Sequence, residues 1–213
     1  MAVHVFFDNS NVIWGARYAC IDLEPQVYEY AIRLHFENLF SLIEGGRDIT
    51  TKVLAGSAPP SCDALWAYAE KHGYTTDLLR KVEREDGTLG EQGVDELFHL
   101  KIANALLDND SGILAIATGD GKVSKFGTGF LTQIDRALAH GWDVELWSWS
   151  QVCHHKYQEY NDDPSKRFKL HLLNFHYYDI TFLRGGEYYR DLPNGVRQHI
   201  RVTDRPARPL LTR

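Results

Sequence analysis

Apolar segments alternate with polar turns along the first 150 residues, and their lengths predict strands and helices in turn. Short apolar runs, typical of buried strands, cover residues 3–7 and 113–117. Strands are also predicted at 51–56, at 74–82, where apolar and polar residues alternate loosely, and at 143–149, which is rich in aromatic residues. Longer stretches with apolar residues at helical spacing predict helices at 23–43, 61–72, 94–107 and 130–140. Because the two kinds of element alternate, we expect an α/β fold, a parallel sheet with helices on both faces.

The pattern changes after Ser150. Residues 156–167 are polar, and residues 168–183 are apolar and aromatic without a clear period. Two further strand-like segments, 188–192 and 196–202, flank the turn sequence Pro193-Asn194-Gly195, which predicts a β-hairpin. We therefore expect one domain at 1–150 and a small C-terminal appendage at 151–213, packed on that domain.

Composition narrows the class of protein. A hydrophobic share of 44% in 213 residues suffices for a packed core, and three widely spaced cysteines do not predict a disulfide framework. The sequence contains no run of 18 apolar residues and no secretory signal pattern at its start. We expect no membrane insertion and a cytoplasmic location.

Charge is distributed unevenly. Residues 184–213 carry seven arginines and three acids, a net charge of 7 - 3 = +4, within a chain whose net charge is -6. The preceding residues carry 16 basic and 26 acidic side chains, a net charge of -10. This basic end either binds a phosphate-bearing partner or pairs with the acidic body, and both interpretations stay open.

Three acids occupy positions that often carry chemistry. Asp8 follows the first strand, Asp120 follows the most apolar strand, and Asp95 opens a helix after the glycine-rich segment 83–93. Ligand sites of parallel sheets lie outside the carboxyl ends of the strands, so these acids could converge at one edge. The alternative for Asp8 is a cap on the next element or an Asx turn.

A cluster of three carboxylates requires a cation, because two of them about 4 Å apart repel by about 4 kcal/mol at an effective dielectric of about 20. Hard oxygen ligands favour Mg²⁺ or Mn²⁺. Such an ion can activate water and stabilise the oxygens of a phosphodiester during hydrolysis. We expect Asn11 to orient a phosphate, a water or a neighbouring carboxylate, and Thr118 to brace the Asp120 loop through its hydroxyl.

Three segments resemble the NYN-type ribonuclease domain of the PIN-like nuclease superfamily: DNSN after a strand, GVDELFHLKIA at a helix start, and ILAIATGDG at a strand end. The family pattern is D-G-S-N, then G-V-D, then S-G-D-x-D, and the likeness spans about residues 2–150. The resemblance implies a Rossmann-like sheet and a metal-dependent endoribonuclease. It implies that Asp8, Asp95 and Asp120 hold Mg²⁺ or Mn²⁺, with Asn11 beside them.

Two positions depart from the family pattern. Asn9 replaces a glycine, and Lys122 stands where many members have a second acid. Glu96 or Asp22 could supply a fourth carboxylate, and Lys122 could contact a phosphate instead. The rival interpretation is a catalytically inactive NYN-type module that binds RNA or a protein.

Four basic side chains near the predicted site are candidates for RNA binding, and they are Arg17, Arg80, Lys81 and Lys125. The alternative, equally consistent with the sequence, is that each of these residues belongs to an ordinary charged surface in contact with solvent. Trp14 and Tyr18 either stack on bases or pack behind the loop. We expect single-stranded or looped RNA as the partner, and the C-terminal appendage as an RNA-binding arm, a lid or a homodimer contact.

Overall fold

The computed structural model describes residues 1–56, 63–78, 82–83, 89–90, 94–121 and 129–211. The side chains of residues 63–65, 77–78, 82–83, 89–90 and 94–95 fall outside this description. Within the described part of the chain, no helix is long and apolar enough to cross a membrane.

The strands are β1 (Val3–Asp8), β2 (Ile32–Leu34), β3 (Ile49–Gly56), β4 (Thr75–Leu78), β5 (Val82–Glu83), β6 (Leu89–Gly90), β7 (Ile113–Ala117), β8 (Asp143–Ser148), β9 (Phe168–Leu172), β10 (Thr181–Leu183), β11 (Gly186–Asp191) and β12 (Arg197–Val202). The helices are α1 (Asn9–Leu23), α2 (Phe36–Glu44), α3 (Asp63–Lys71), α4 (Val94–Asp108), α5 (Phe130–Ala139), α6 (His155–Asp162) and α7 (Tyr177–Ile180), with 3₁₀ turns at Glu29–Ala31 and Leu173–His176.

Six strands form the main sheet in the order β4-β3-β1-β7-β8-β9, and every neighbouring pair is parallel. Counted along the chain, this is the order 3-2-1-4-5-6 of doubly wound α/β proteins. The predicted fold class is confirmed, and so is the antiparallel hairpin, formed by β11 and β12.

Apolar side chains fill both faces of the sheet. On one face, Val5 and Phe7 pack with α1, α2 and α3, and on the other, Phe6 packs with α4, α5 and α6. Strands buried on both faces need continuous apolar runs, and β1 and β7 have them. Their carboxyl ends therefore emerge from a rigid, fully packed centre.

The sequence-based boundaries were wrong at one place. No helix was predicted before residue 23, and 23–43 was predicted as one helix, but α1 begins directly after Asp8 and ends at Leu23. The following residues contain a 3₁₀ turn, β2 and α2. The short strand β2 is possible because it pairs with β10, about 150 residues later in the chain.

The chain after residue 150 contributes to the main sheet as well as to the appendage. Strand β9 pairs with β8 and forms one edge of the main sheet, with β4 at the other edge. The last described residues return to the body, where Arg205 exchanges two backbone hydrogen bonds with Leu183 and forms an ion pair of 3.1 Å with the buried Glu24. Thr181 also accepts hydrogen bonds from the Arg205 guanidinium.

Candidate functional site at the ends of β1 and β7

The strand order of the sheet reverses between β1 and β7, which are direct neighbours. Phe7 lies opposite Ala117 in the parallel register, so Asp8 and Thr118 both emerge at the carboxyl edge of the sheet. In doubly wound sheets this reversal leaves a crevice in which ligands bind. The sequence-based expectation that Asp8 and Asp120 lie at one edge therefore agrees with the sheet topology.

Asp8 is the N-cap residue of α1. Its Oδ1 accepts a hydrogen bond of 3.0 Å from the backbone N–H of Asn11, and its Oδ2 accepts one of 3.0 Å from the hydroxyl of Thr118. Asp8 therefore caps α1, which is the alternative role that the sequence left open for this residue. An ionised carboxylate has about four acceptor positions, and these two hydrogen bonds use two of them.

Asn11 joins α1 to the end of β7. Its side-chain oxygen accepts a hydrogen bond of 2.7 Å from the backbone N–H of Gly119. The first turn of α1 and the segment 118–120 are therefore held together by two side chains, Asp8 and Asn11. Thr118 also braces the loop as expected, because its hydroxyl accepts a bond of 3.3 Å from the N–H of Asp120.

The backbone around Asp120 is fixed from the opposite side by residues after 150. The hydroxyl of Tyr157 donates to the carbonyl of Asp120 at 2.6 Å, and the N–H of His154 donates to the carbonyl of Gly119 at 3.1 Å. Burial raises the pKa of Tyr157, so this hydroxyl keeps its proton. The sequence did not predict these two contacts, because nothing in it links residues that lie 35 and 37 positions apart.

Gly119 has no room for a side chain. A Cβ atom there would lie 2.5 Å from the carbonyl oxygen of Val152 and 2.8 Å from Oγ of Ser148. A Cβ at Gly121 would likewise overlap the ring of His154. Asp120 therefore lies between two positions where the backbone touches the loop after β8.

Helix α4 brings its first turns toward the same edge. It packs against β1 and β3, and Phe98 contacts Phe6 with ring centroids 5.8 Å apart. His99 is only 7% exposed, and within the described residues neither of its ring nitrogens has a hydrogen-bond partner. Burial lowers the pKa of His99, while the negative charges of Glu96 and Asp120 oppose this shift, so the imidazole lies within electrostatic range of both acids.

The remaining candidates divide into three groups. Asp95 is the second residue of α4, and its side chain lies outside the described part of the structure. The basic candidates Arg80, Lys81, Lys122 and Lys125 lie outside the described residues altogether. Glu96 is exposed on the first turn of α4, and Arg17 lies on α1. Asp22 is excluded as a fourth ligand, because it lies about 21 Å along α1 from Asp8 at about 1.5 Å per residue and binds Gln151.

The oxygen donors of this edge suit a hard divalent cation, since Asp8 and Asp120 are both carboxylates at the reversal point of the sheet. Within the described side chains, no group of three or more His, Cys, Asp or Glu is arranged to hold a metal ion. Asp95 and Glu96 are the candidates for a third carboxylate, because both lie on the first turn of α4.

Comparisons of the chain with protein-family models, with curated proteins and with solved structures found no match.

Proposed function

We propose that this protein is a divalent-metal-dependent endoribonuclease of the NYN/PIN-like type, which hydrolyses RNA phosphodiester bonds. Asp8, Asp95 and Asp120 would hold Mg²⁺ or Mn²⁺. The observation that supports this most is the joining of Asp8 to the Asp120 segment through the Thr118 hydroxyl, at the point where the strand order reverses.

The residues of the chain would have distinct roles. Asp8 and Asp120 supply negative oxygen ligands, and the Thr118 hydroxyl orients the Asp8 carboxylate by donating to it. Asn11 positions the Asp120 segment by accepting the Gly119 N–H. A divalent cation in this site would lower the pKa of a coordinated water and stabilise charge on the phosphate oxygens.

A second candidate function is a catalytically inactive module of the same fold that binds RNA. Asp8 and Asn11 both make hydrogen bonds that stabilise the fold, so their presence alone does not require a reaction. The two candidates differ in one measurable respect, because only the nuclease needs the negative charge of Asp8.

The deciding experiment is a cleavage assay of Asp8→Asn on mixed-sequence RNA and single-stranded DNA, with EDTA, Mg²⁺ or Mn²⁺. Asn caps helices about as well as Asp, so the variant should fold normally, and its thermal unfolding should match that of the wild type. We expect RNA cleavage by the wild type with a metal, and cleavage by Asp8→Asn no faster than in EDTA.

The matched control is Asp110→Asn. Asp110 is exposed near the amino end of β7, at the opposite edge of the sheet, so its loss should leave cleavage unchanged. Metal-dependent cleavage that survives in Asp8→Asn would rule out the proposed site. RNA binding without cleavage under every metal condition would favour the inactive module.

A further inference from the structure

Helix α1 has its large apolar side chains on the outside. The residues that face the core are small, namely Gly15, Ala16, Ala19 and Cys20, together with Val12. By contrast, Trp14, Tyr18 and Ile21 are 46%, 49% and 49% exposed. We call these three residues the outer stripe of α1. Large apolar side chains exposed along one side of a helix lower the solubility of a protein and are typical of a binding surface.

The stripe starts at the candidate site. Asn11, Trp14, Tyr18 and Ile21 succeed one another at helical spacings of three and four residues, so they lie along one side of α1. Asn11 contacts the Asp120 segment, and Ile21 lies about 15 Å further along at about 1.5 Å per residue. A chain lying on the stripe would therefore lead directly to the Asp8 edge.

A guanidinium lies between the rings beside this stripe. The Arg17 Cζ atom is 4.6 Å from the ring centroids of both Trp14 and Tyr30, and those two rings are 6.2 Å apart in an edge contact. The Nε atom of Arg17 is buried and has no hydrogen-bond partner among the described residues. The positive charge is thus fixed at the aromatic surface by ring contacts.

The aromatic surface continues onto the C-terminal hairpin. Tyr28 contacts the rings of Tyr30 and Tyr188 at 5.4 and 5.6 Å, and its hydroxyl donates to the carbonyl of Tyr189 at 3.3 Å. The Arg190 guanidinium lies 4.8 Å from the Tyr28 ring. Rings and arginines therefore alternate from α1 to β11.

The hairpin adds cations whose pairing is weak. The side chains of Arg197 and Arg201 are 67% and 85% exposed, and their nearest carboxylates, on Asp191 and Glu187, lie 3.7 and 3.6 Å away. Exposed ion pairs of this kind contribute about 0–1 kcal/mol, so a phosphate can replace the carboxylate at small cost. These two arginines therefore pair with acids of the hairpin itself and not with the acidic body.

We propose that single-stranded RNA binds along the outer stripe and onto the hairpin, with bases stacked on Trp14, Tyr18 and Tyr30 and phosphates at Arg17 and Arg197. This inference rests on the proposed ribonuclease function, for which it supplies the substrate path. Interleaved rings and cations favour a strand of stacked bases and phosphates, because every base has a face for stacking and every linkage has a negative charge.

The test is RNA binding in EDTA, where cleavage cannot contribute. Fluorescence anisotropy with a labelled single strand of about 12 nucleotides measures the Kd of the wild type and of the double variant Trp14→Ala/Tyr18→Ala. We expect the double variant to bind about tenfold or more weakly, while Trp14→Phe retains binding because its ring still stacks. Arg17→Gln should reduce the slope of log K against log salt by about 0.7.

Matched controls change equally exposed side chains elsewhere. Phe175 is 82% exposed, and the Arg167 side chain is 64% exposed, so Phe175→Ala and Arg167→Gln should bind as the wild type does. Unchanged affinity of the double variant would overturn the inference, as would a wild type that does not bind RNA. A change of oligomeric state with unchanged RNA affinity would assign the stripe to a second copy of the chain, and would overturn it as well.

Failure of this inference and failure of the proposed function give different results. If Asp8→Asn loses cleavage while the stripe variants bind RNA as the wild type does, the proposed RNA path is refuted and the proposed nuclease function stands. Weakened binding by the stripe variants, in a protein that cleaves under no metal condition, supports the RNA surface and refutes the nuclease.

Discussion

The side chains of Val3–Phe7 in β1 and of Leu114–Ala117 in β7 are all buried, whereas most side chains of the hairpin strands β11 and β12 are exposed. The segment that follows the hairpin is attached through arginines. Arg205 pairs with Glu24, and its guanidinium lies 5.6 and 5.2 Å from the rings of Tyr177 and Tyr178. Apolar burial involves no charge that salt can screen, whereas ion pairs and ring–cation contacts depend on charge, so the two regions should respond differently to mutation, ionic strength and pH.

The largest effect is expected in the sheet. Phe6 is fully buried and packs against Phe98, so Phe6→Ala leaves a cavity and should lower the free energy of unfolding by about 4 kcal/mol. Chemical denaturation measures this loss, which should be nearly the same at low and high salt. A loss below about 1 kcal/mol would mean that the sheet is not the stable centre of the molecule.

The next effect concerns the attachment of the C-terminal segment. Arg205→Met removes the ion-pair partner of the buried Glu24 carboxylate, which keeps only its hydrogen bond from the Tyr177 hydroxyl among the described contacts, and should destabilise that attachment by about 3 kcal/mol. Limited proteolysis should then cut residues 184–211 in a body that remains folded. If the whole protein unfolds at once instead, the segment is part of the same cooperative unit as the sheet.

Acid should weaken the sheet region through His4. This side chain is fully buried on β1 beside Trp142, and burial lowers the pKa of His4 below its ordinary value of 6.5. The unfolded chain therefore binds a proton more readily than the folded protein, and stability should fall as the pH drops from about 7 to about 5. His4→Phe should flatten this dependence in thermal unfolding; an unchanged slope would assign it to other groups, such as His99 or His171.

The smallest effect belongs to the exposed hairpin. Arg197→Gln removes an exposed ion pair of 3.7 Å and should change the free energy of unfolding by less than about 1 kcal/mol. The same substitution should weaken RNA binding if the hairpin contacts phosphate, so stability and affinity report separately on this residue. A large loss of stability would show that the hairpin contributes to the folded body.

The sequence predicted the alternation of strands and helices well but not α1, and the physical reason is the inverted pattern of apolar residues in this helix. Helix prediction looks for large apolar residues on the buried side. Here small residues face the sheet and allow close packing, so that Gly15 lies against Trp149, while Trp14 and Tyr18 point outward. The failure of the usual pattern coincides with the surface that we propose binds RNA.

The site was predictable in part. Parallel strands have their carboxyl ends at one edge of the sheet, and Asp8 and Asp120 each follow an apolar strand in the sequence. Their position at a common edge could therefore be predicted without a structure. The bonds from Thr118, Asn11 and Tyr157 depend on pairings between residues 37 to 110 positions apart, which one sequence cannot reveal.

The close packing at Gly119 and Gly121 has a consequence for mutational scanning. Neither position has space for a methyl group, so every substitution there should be lost from a library selected for folding alone. Position 120 lies between them, and these contacts place no such steric limit on its side chain. Selection for folding and selection for activity should therefore give the same tolerated residues at 119 and 121, and different ones at 120 if the aspartate takes part in the reaction.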